Sequence, residues 1–281
     1  VKEVDTFDFS KVQLAFFAAG PAVTLSFAPR ATAAGCAVID LSGALPAEQA
    51  PQVVPQANAH VLNALKKPFQ LGSPSPCATY LAVVLAPLRG VVDIQRVSVT
   101  ANLAISAQGR EAVSELARQT AELLNVRPLE PAFFDRQVAF NLLAQVGTPD
   151  AQGHTALEKR LVHELRAVLE TPLLKISATC VQAPVFFGDS LTVSLQLAAP
   201  VDLAAVNRAL DAAPGIELVE EGDYPTAVGD AVGQDVVYVG RVRAGIDDPA
   251  ELNLWLTSDN VRKGSALNAV ELAQLLIKDL V

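Results

Sequence analysis

VQLAFFAA (Val12–Ala19) is a mostly apolar run that ends at Gly20-Pro21, and CAVID (Cys36–Asp40) is a second one that ends at Leu41-Ser42-Gly43. Both runs are typical of buried strands that close on turns. The residues between them, Leu25 to Gly35, are rich in alanine and predict a crossover helix that ends on a glycine. Together they predict a βαβ unit, and hence a parallel sheet with ligand space at the carboxyl ends of its strands.

A dinucleotide-binding fold would need more than this one unit. The chain has no GxGxxG fingerprint, the glycine-rich turn on which a pyrophosphate rests. If the sheet belongs to such a fold, we expect at least one further βαβ unit to precede Val1.

The composition narrows the class of protein. Of the 281 residues, 51% are apolar and 18% are charged, which favours a folded chain with a large core over disorder. The formal charge of −9 disfavours nucleic acid as a partner. The longest apolar stretch, Tyr80–Leu88, is about half of the ~20 residues that a membrane span needs, so we expect a soluble protein. Three widely spaced cysteines indicate neither disulfides nor a metal site and fit a cytoplasmic location.

The rest of the chain alternates strands and helices without a short βαβ rhythm, so we predict an α+β region. Predicted strands are 96–105, 175–183, 190–198, 236–243 and 252–257, and predicted helices are 80–85, 111–125, 155–169 and 201–213. The last element, Ser265–Leu280, is predicted to be an amphipathic helix. We expect its buried residues to be Leu267, Val270, Leu272, Leu275 and Ile277.

Cys77 is the strongest candidate for chemistry. It follows the rigid Ser-Pro-Ser-Pro turn, and we expect it at a helix N-terminus, where unpaired N–H groups favour a thiolate. The alternative is a small buried hydrophobic residue, and the sequence leaves both interpretations open. A catalytic thiol also needs a general base, usually His. The three histidines, His60, His154 and His163, have the polar surroundings of solvent-facing residues, so the sequence offers a nucleophile without an evident base.

Two other segments carry chemistry-bearing side chains. Phe186-Phe-Gly-Asp-Ser190 places Asp189 between two predicted strands, either as a site carboxylate or, as we favour, in an ordinary hairpin turn. Asp259-Asn-Val-Arg-Lys-Gly-Ser265 places two cations before the final helix. They could capture a phosphate at its N-terminus, or the segment could simply cap the helix.

Several segments in a shared order together resemble the aspartate-semialdehyde dehydrogenase family. They are Asp5-Thr-Phe-Asp-Phe-Ser10, Phe17-Ala-Ala-Gly20, Val38-Ile-Asp40, Glu115-Leu-Ala-Arg-Gln-Thr120, Ala139-Phe-Asn141, Ser177-Ala-Thr-Cys-Val181, Pro184-Val-Phe186, Tyr224-Pro-Thr226, Val239-Gly-Arg241, Leu254-Trp255 and Asp259-Asn-Val-Arg-Lys-Gly264. The resemblance implies an α/β fold with a Rossmann-like NADP-binding domain, residues 1–76 and 258–281, whose front part would precede Val1. It also implies a central α+β catalytic and dimerisation domain, residues 77–257.

The family reaction implied is reductive dephosphorylation of aspartyl phosphate through a cysteine thioester, with hydride from NADPH. The sequence departs from the residues that this reaction uses. The nucleophile matches Cys77, but its Asn neighbour is Pro76. The family's glutamine falls on Leu103, its carboxylate-binding Arg on Gln182 and its base His on Asp189. A phosphate-binding Arg falls on Pro46, and a Glu-x-x-Lys pair on Leu157 and Arg160.

The positions on the cofactor side are better kept, and the resemblance implies that they contact NADP. They are Gly20, Ser42, Ser106, Gly109 and Asn260.

Two functions remain open. The first is a cytoplasmic homodimer that has lost most of the reaction and acts by binding a nucleotide, another small molecule or a partner. The second is an active NAD(P)-dependent dehydrogenase that uses Cys77 on aspartate semialdehyde or another acyl or aldehyde substrate. Asp189 discriminates between them, because an acid beside the thiol would raise the thiol pKa.

Overall fold

The first sheet is parallel and carries the predicted βαβ unit. The computed structural model describes residues 3–280, with side chains as far as residue 277, so residues 1, 2 and 281 of the predicted nucleotide-binding domain lie outside it. The strands are β1 (Leu14–Phe17), β2 (Ala37–Asp40) and β3 (Gln70–Gly72), in that order across the sheet. The short β3 was not predicted.

The crossover helix α1 (Pro21–Ala33) begins four residues earlier than the predicted Leu25. Gly20 caps it with φ of 95°, and Pro21 occupies the first helical position, where its missing N–H costs nothing. The turn after β1 is therefore immediate, and α1 begins directly at the carboxyl edge of the sheet.

The second sheet has six strands and forms the larger core. They are β4 (Ile94–Leu103), β5 (Lys175–Gln182), β6 (Asp189–Leu197), β7 (Ile216–Leu218), β8 (Val237–Ala244) and β9 (Glu251–Ser258), in the order β5-β4-β6-β9-β8-β7. The outer pairs β4–β5 and β7–β8 are parallel and the inner pairs are antiparallel. The mixed sheet confirms the predicted α+β region, although β7 was not predicted.

Helices cover one face of this sheet. Those that share a core with the sheet are α3 (Pro76–Leu88), α5 (Ala156–Val168) and α6 (Leu203–Asp211), whereas α2 (Pro55–Asn58) packs on α3 and α4 (Arg110–Leu124) packs in a separate cluster around Ile105. Helix α3 is apolar all round, and ten of its thirteen residues are buried in the core that it forms with the sheet, α5 and α6. Within residues 3–280, no helix is both long and apolar enough to cross a membrane.

The opposite face of the second sheet is polar and open over β5, β4 and β6, whereas the chain around Pro225 packs on β9, where the Pro225 carbonyl accepts the Trp255 Nε1–H. The register places Thr179, Thr100, Thr192 and Trp255 side by side across β5, β4, β6 and β9. The three threonines are exposed and the tryptophan is half-buried. This outer row is available to a partner molecule.

The C-terminal helix α7 (Asn268–Leu280) packs on the first sheet, but not by the predicted face. Its buried residues are Ala269, Leu272, Ala273 and Leu276, which contact the core around Ile39 and Leu71. Of the five residues predicted to be buried only Leu272 is, whereas Val270 and Ile277 are about half exposed. The preceding segment, Arg262–Leu267, is π-helical, which changes the phase of the periodicity from which the face was predicted.

Candidate functional site

The thiol of Cys77 lies in the first turn of α3, as predicted. Ser75 precedes the helix and Pro76 takes its first position. The Ser75 N–H donates to a carboxylate oxygen of Glu164 at 2.8 Å, and the Ser75 hydroxyl donates to the same oxygen. The helix start is therefore held from α5, and the Cys77 side chain, 6% exposed, is held with it.

Asp189 lies beside that thiol, and the prediction of a hairpin turn is wrong. It is the first residue of β6, which pairs with β4 and β9 and not with β5, so no hairpin joins β5 to β6. The side chain is 1% exposed. Its Oδ1 accepts the Ala104 N–H at 2.8 Å, and the Cys77 thiol donates to its Oδ2 with an Sγ–Oδ2 distance of 3.8 Å.

Burial changes the acidity of both groups. It raises the pKa of Asp189 to about 7, against the opposing effect of the Ala104 N–H. Burial also raises the pKa of the Cys77 thiol well above its ordinary value, and the negative charge of Asp189 raises it further. At neutral pH the thiol is therefore protonated, and its neighbour disfavours the thiolate.

Leu103 and Gln182 end the parallel strands β4 and β5 at the same level. The Gln182 Nε2 donates to the Leu103 carbonyl at 2.7 Å, whereas its Oε1 is buried without a partner among the described residues. The amide of Gln182 is thus hydrogen-bonded to the β4 backbone, and the Leu103 side chain supplies an apolar surface in the site.

A cleft of about 580 Å³ joins most of the predicted residues. Cys77, Leu103, Ser106, Arg160, Asp189 and Asn260 are part of its lining. Of the other predicted residues, Gly20, Ser42, Gly109 and Gln182 are not among the described residues that line it. The rest of the lining is Ser75, Pro76, Ala107, Gln108, Val146, Gly147, Thr148, Ala156, Leu157, Leu161, Cys180, Val261 and Ser265.

Arg160 joins the two sheets at the edge of this cleft. Its Nε donates to Glu164 at 2.7 Å, and its Nη1 donates to the Ser42 carbonyl, in the loop after β2, at 2.9 Å. The guanidinium lies flat on Gly43: a Cβ built there would be 2.4 Å from Cζ of Arg160. Glu164 was not predicted, although its position four residues after Arg160 on a helix is the spacing of an ion pair.

The cofactor-side residues predicted by resemblance surround the carboxyl edge of the first sheet and the mouth of the cleft. Gly20 and Gly109 cap α1 and α4 with φ of 95° and 90°, and no atom lies within 4 Å of a Cβ built on either. The hydroxyl of Ser42 lies 2.6 Å from Oδ1 of the buried Asp40. Asn260 accepts the Gly188 N–H and donates to the Ser106 hydroxyl at 2.9 Å.

The other titratable residues that the sequence indicated are either exposed outside the cleft or paired with other residues. His60, His154 and His163 are exposed, as predicted, and no histidine of the described chain lines the cleft. Arg262 pairs with Asp235, and the buried Lys263 lies 3.5 Å from Glu271. Asp259 accepts the N–H groups of Val261 and Arg262, and α7 begins only at Asn268, so phosphate capture and capping of the final helix both stay predictions.

Tyr80 is a further buried group that the sequence did not indicate. It is fully buried on α3, its hydroxyl has no partner among the described residues, and burial raises its pKa well above the ordinary value. An apolar run such as 80–88 gives no sign that the hydroxyl of its tyrosine is buried without a partner.

Comparisons with known proteins give the family. Residues 1–65 match the model of the semialdehyde dehydrogenase NAD-binding domain, and residues 85–263 match that of the semialdehyde dehydrogenase dimerisation domain. The chain is 60% identical to a USG-1 protein homolog of Azotobacter vinelandii and 38% identical to aspartate-semialdehyde dehydrogenase 2 of Vibrio cholerae. Each alignment covers 99% of this chain and 83% of the relative.

Comparison with solved structures indicates the same family. A probable aspartate-semialdehyde dehydrogenase from Pseudomonas aeruginosa superposes with a TM-score of 0.98 at 60% identity, over all of this chain and 84% of that one. The Vibrio cholerae enzyme, solved in complex with ASA, gives 0.94 at 38% identity over the same shares. The fold, the two matched domains and these relatives show that the chain belongs to the aspartate-semialdehyde dehydrogenase family.

Proposed function

We propose that this chain is a dimeric, cytoplasmic binding protein whose phosphorylating, NADP-dependent semialdehyde dehydrogenase activity is lost or much reduced. The observation that carries the proposal is the contact between the Cys77 thiol and the Asp189 carboxyl, 3.8 Å apart in a buried site. A family nucleophile needs a partner that removes its proton. Here the partner is an acid that disfavours the thiolate.

Three steps of the family reaction would be impaired. Attack by sulfur requires a thiolate, which burial and Asp189 oppose. Proton transfer requires a general base, worth roughly 10²- to 10⁴-fold in rate. Anchoring a substrate carboxylate requires a free cation, but Gln182 supplies an amide that is already bonded to the Leu103 carbonyl.

Residues at the carboxyl edge of the first sheet and in the neighbouring cleft support a nucleotide site. Gly20 and Gly109 leave open space at two helix N-termini, where backbone N–H groups and the helix dipole favour phosphate or another anionic group. Ser42, Ser106 and Asn260 would line the remainder of that site. When bound, NADP or NAD would supply or accept hydride. In the proposed binding protein, the nucleotide would be a ligand rather than a reactant.

The domain boundaries and the homodimer belong to the same proposal. We assign residues 1–76 and 258–281 to the nucleotide-binding domain and 77–257 to the dimerisation domain. The outer row of Thr179, Thr100, Thr192 and Trp255 supports association through the second sheet, as does the match to a family dimerisation domain. Two-fold association would place this row against its own copy. Sedimentation at tens of micromolar tests it, and a monomer would contradict it.

A second candidate function is retained by one observation. Cys77 still lines an open cleft, so an active NAD(P)-dependent dehydrogenase that uses this thiol on a less anionic acyl or aldehyde substrate is the alternative. Activity on any aldehyde that disappears in Cys77→Ser would favour it.

The deciding experiment is a steady-state assay of the purified chain with aspartate semialdehyde, phosphate and NADP, beside a family enzyme. We expect a rate lower by at least about 100-fold, the smaller end of the contribution of a general base. A rate equal to that of the family enzyme would contradict the proposal.

A further inference from the structure

One oxygen of the buried Asp189 carboxyl lacks a strong hydrogen-bond donor, and Asp189 lines the cleft. Its Oδ1 accepts the Ala104 N–H, whereas the only partner of Oδ2 among the described residues is the Cys77 thiol, a weak donor at 3.8 Å. A carboxylate at 1% exposure is costly unless charged or polar donors compensate it. A ligand that donates a hydrogen bond to Oδ2 would supply what the chain does not.

To an anion, the described lining of the cleft offers one cation, the partly engaged guanidinium of Arg160. Arg160 is the only cation among the described residues that line it, and its Nε and Nη1 are bonded to Glu164 and to the Ser42 carbonyl. Its Nη2 lies over Gly43 and is buried without a hydrogen-bond partner among the described residues. The one other charged residue of the lining is Asp189 itself.

The walls next to Asp189 are apolar. Leu103, Val146 and Leu161 line the cleft and are each less than a tenth exposed. They would accept a short hydrocarbon chain, at a gain of about 0.8 kcal/mol for each CH₂ removed from water.

We propose that this cleft binds a small primary ammonium ion, with its N–H groups on Asp189 Oδ2 and its short apolar chain against Leu103 and Val146. The inference rests on the proposed loss of the dehydrogenase reaction, because turnover of an anionic substrate would need a free cation in the same space. It names the class of small molecule that the binding protein takes.

The pH dependence of binding follows from the groups around Asp189. Cys77 and Tyr80 face it from α3 and Cys180 from β5, and burial raises the pKa of all three, so they stay neutral near pH 7. Asp259 is the other acid that acts on it. Since Asp189 itself titrates near pH 7, an ammonium ion should bind less tightly as the pH falls below that value.

The experiment is a calorimetric titration of the whole chain with n-butylammonium, butan-1-ol and butyrate, three probes of one length and different charge. At about pH 8 we expect the ammonium ion to bind at least about tenfold more tightly than either other probe, the size of a charged hydrogen bond. At about pH 5.5 its affinity should fall by about tenfold or more.

Two variants complete the test. Asp189→Asn keeps an acceptor for the Ala104 N–H and removes the charge, so it should abolish the preference for ammonium. Asp247→Asn removes an exposed acid elsewhere and should leave the affinity unchanged. Circular dichroism confirms that each variant is folded.

Each other outcome overturns the inference. Equal affinity for the alcohol would mean that Asp189 needs only a hydrogen-bond donor, and tighter butyrate binding would mean that the cleft selects anions. Preference for ammonium retained in Asp189→Asn would place the ion elsewhere. The dehydrogenase assay separates this from the proposed function: activity together with ammonium binding contradicts the function alone, and no activity without ammonium binding contradicts the inference alone.

Discussion

The side of the cleft that we propose for a nucleotide and the side that carries the thiol differ in how many of the residues implied by the family resemblance they keep. On the nucleotide side Gly20, Ser42 and Asn260 stand where the resemblance places them, and their hydrogen bonds or open space suit that position. On the thiol side Cys77 is kept, but Asp189 stands beside it in place of a base. In the proposed binding protein, contacts that take no part in the family reaction would maintain the fold.

The largest expected effect comes from restoring the thiol side. Leu103→Gln, Gln182→Arg and Asp189→His together should raise dehydrogenase activity, by up to roughly 10²- to 10⁴-fold if the base works as in an intact site. Absorbance of NADPH measures it. Adding Cys77→Ser should remove the gain, and an unchanged rate would locate the defect in the Pro76 turn or near Pro46.

The next effect is on stability and isolates Asp189 alone. Its pKa is raised to about 7 from 3.8, so the unfolded chain loses this proton first as the pH rises. The side chain therefore lowers the free energy of unfolding progressively between about pH 4 and pH 7, by up to about 4 kcal/mol.

Asp189→Asn should remove that pH-dependent loss in the free energy of unfolding. Relative to the unmodified chain, the variant should gain stability as the pH rises from about 4 to about 7 and keep the gain above it. Urea unfolding at several pH values measures the difference. A difference that does not vary with pH would mean that Asp189 is not buried as an acid.

A smaller effect on stability concerns the contact between Gly43 and Arg160, which joins the two sides of the cleft. Gly43→Ala should cost about 2 kcal/mol, because φ is +71° and the new Cβ would meet the Arg160 guanidinium. Gly35→Ala is the matched control: its φ is +84° but no atom is within 4 Å, so only the backbone strain remains. Thermal unfolding compares them, and equal losses would show that the contact with Arg160 has no cost.

The smallest effect tests the nucleotide side. Asn260→Ala would leave the Gly188 N–H without an acceptor and should cost about 1–3 kcal/mol. Asn207→Ala, on the exposed face of α6, should cost less than about 0.5 kcal/mol. If the Asn260 variant also unfolds like the unmodified chain, the hydrogen bonds of this side do not maintain its shape.

Local patterns predicted the local features. Apolar runs closed by glycine gave the βαβ unit, and Pro76 after Ser75 gave the helix start that holds Cys77. Asp189 could not be placed in this way, because Gly-Asp-Ser has the composition of a turn and the insertion of β4 between β5 and β6 is a long-range pairing. The buried face of α7 was missed for a local reason, the π-helical turn before it.

Most residues of the candidate site were identified through the family resemblance, and few through local sequence patterns. Spacing alone offered Cys77 without a base, and only the family motif directed attention to Leu103 and Gln182. Neither source indicated Tyr80, because nothing in an apolar helix distinguishes a tyrosine whose buried hydroxyl has no hydrogen-bond partner among the described residues from one that only packs.

The contact of the Arg160 guanidinium with Gly43 limits how this chain can be recombined with its relatives. A chimaera that joins the first sheet of one protein to the second sheet of another would separate residue 43 from residue 160. A side chain at 43 would then collide with an arginine inherited from this parent, or a shorter residue at 160 would leave the Ser42 carbonyl without its donor. The two positions must be exchanged together, although they lie 117 positions apart in the sequence.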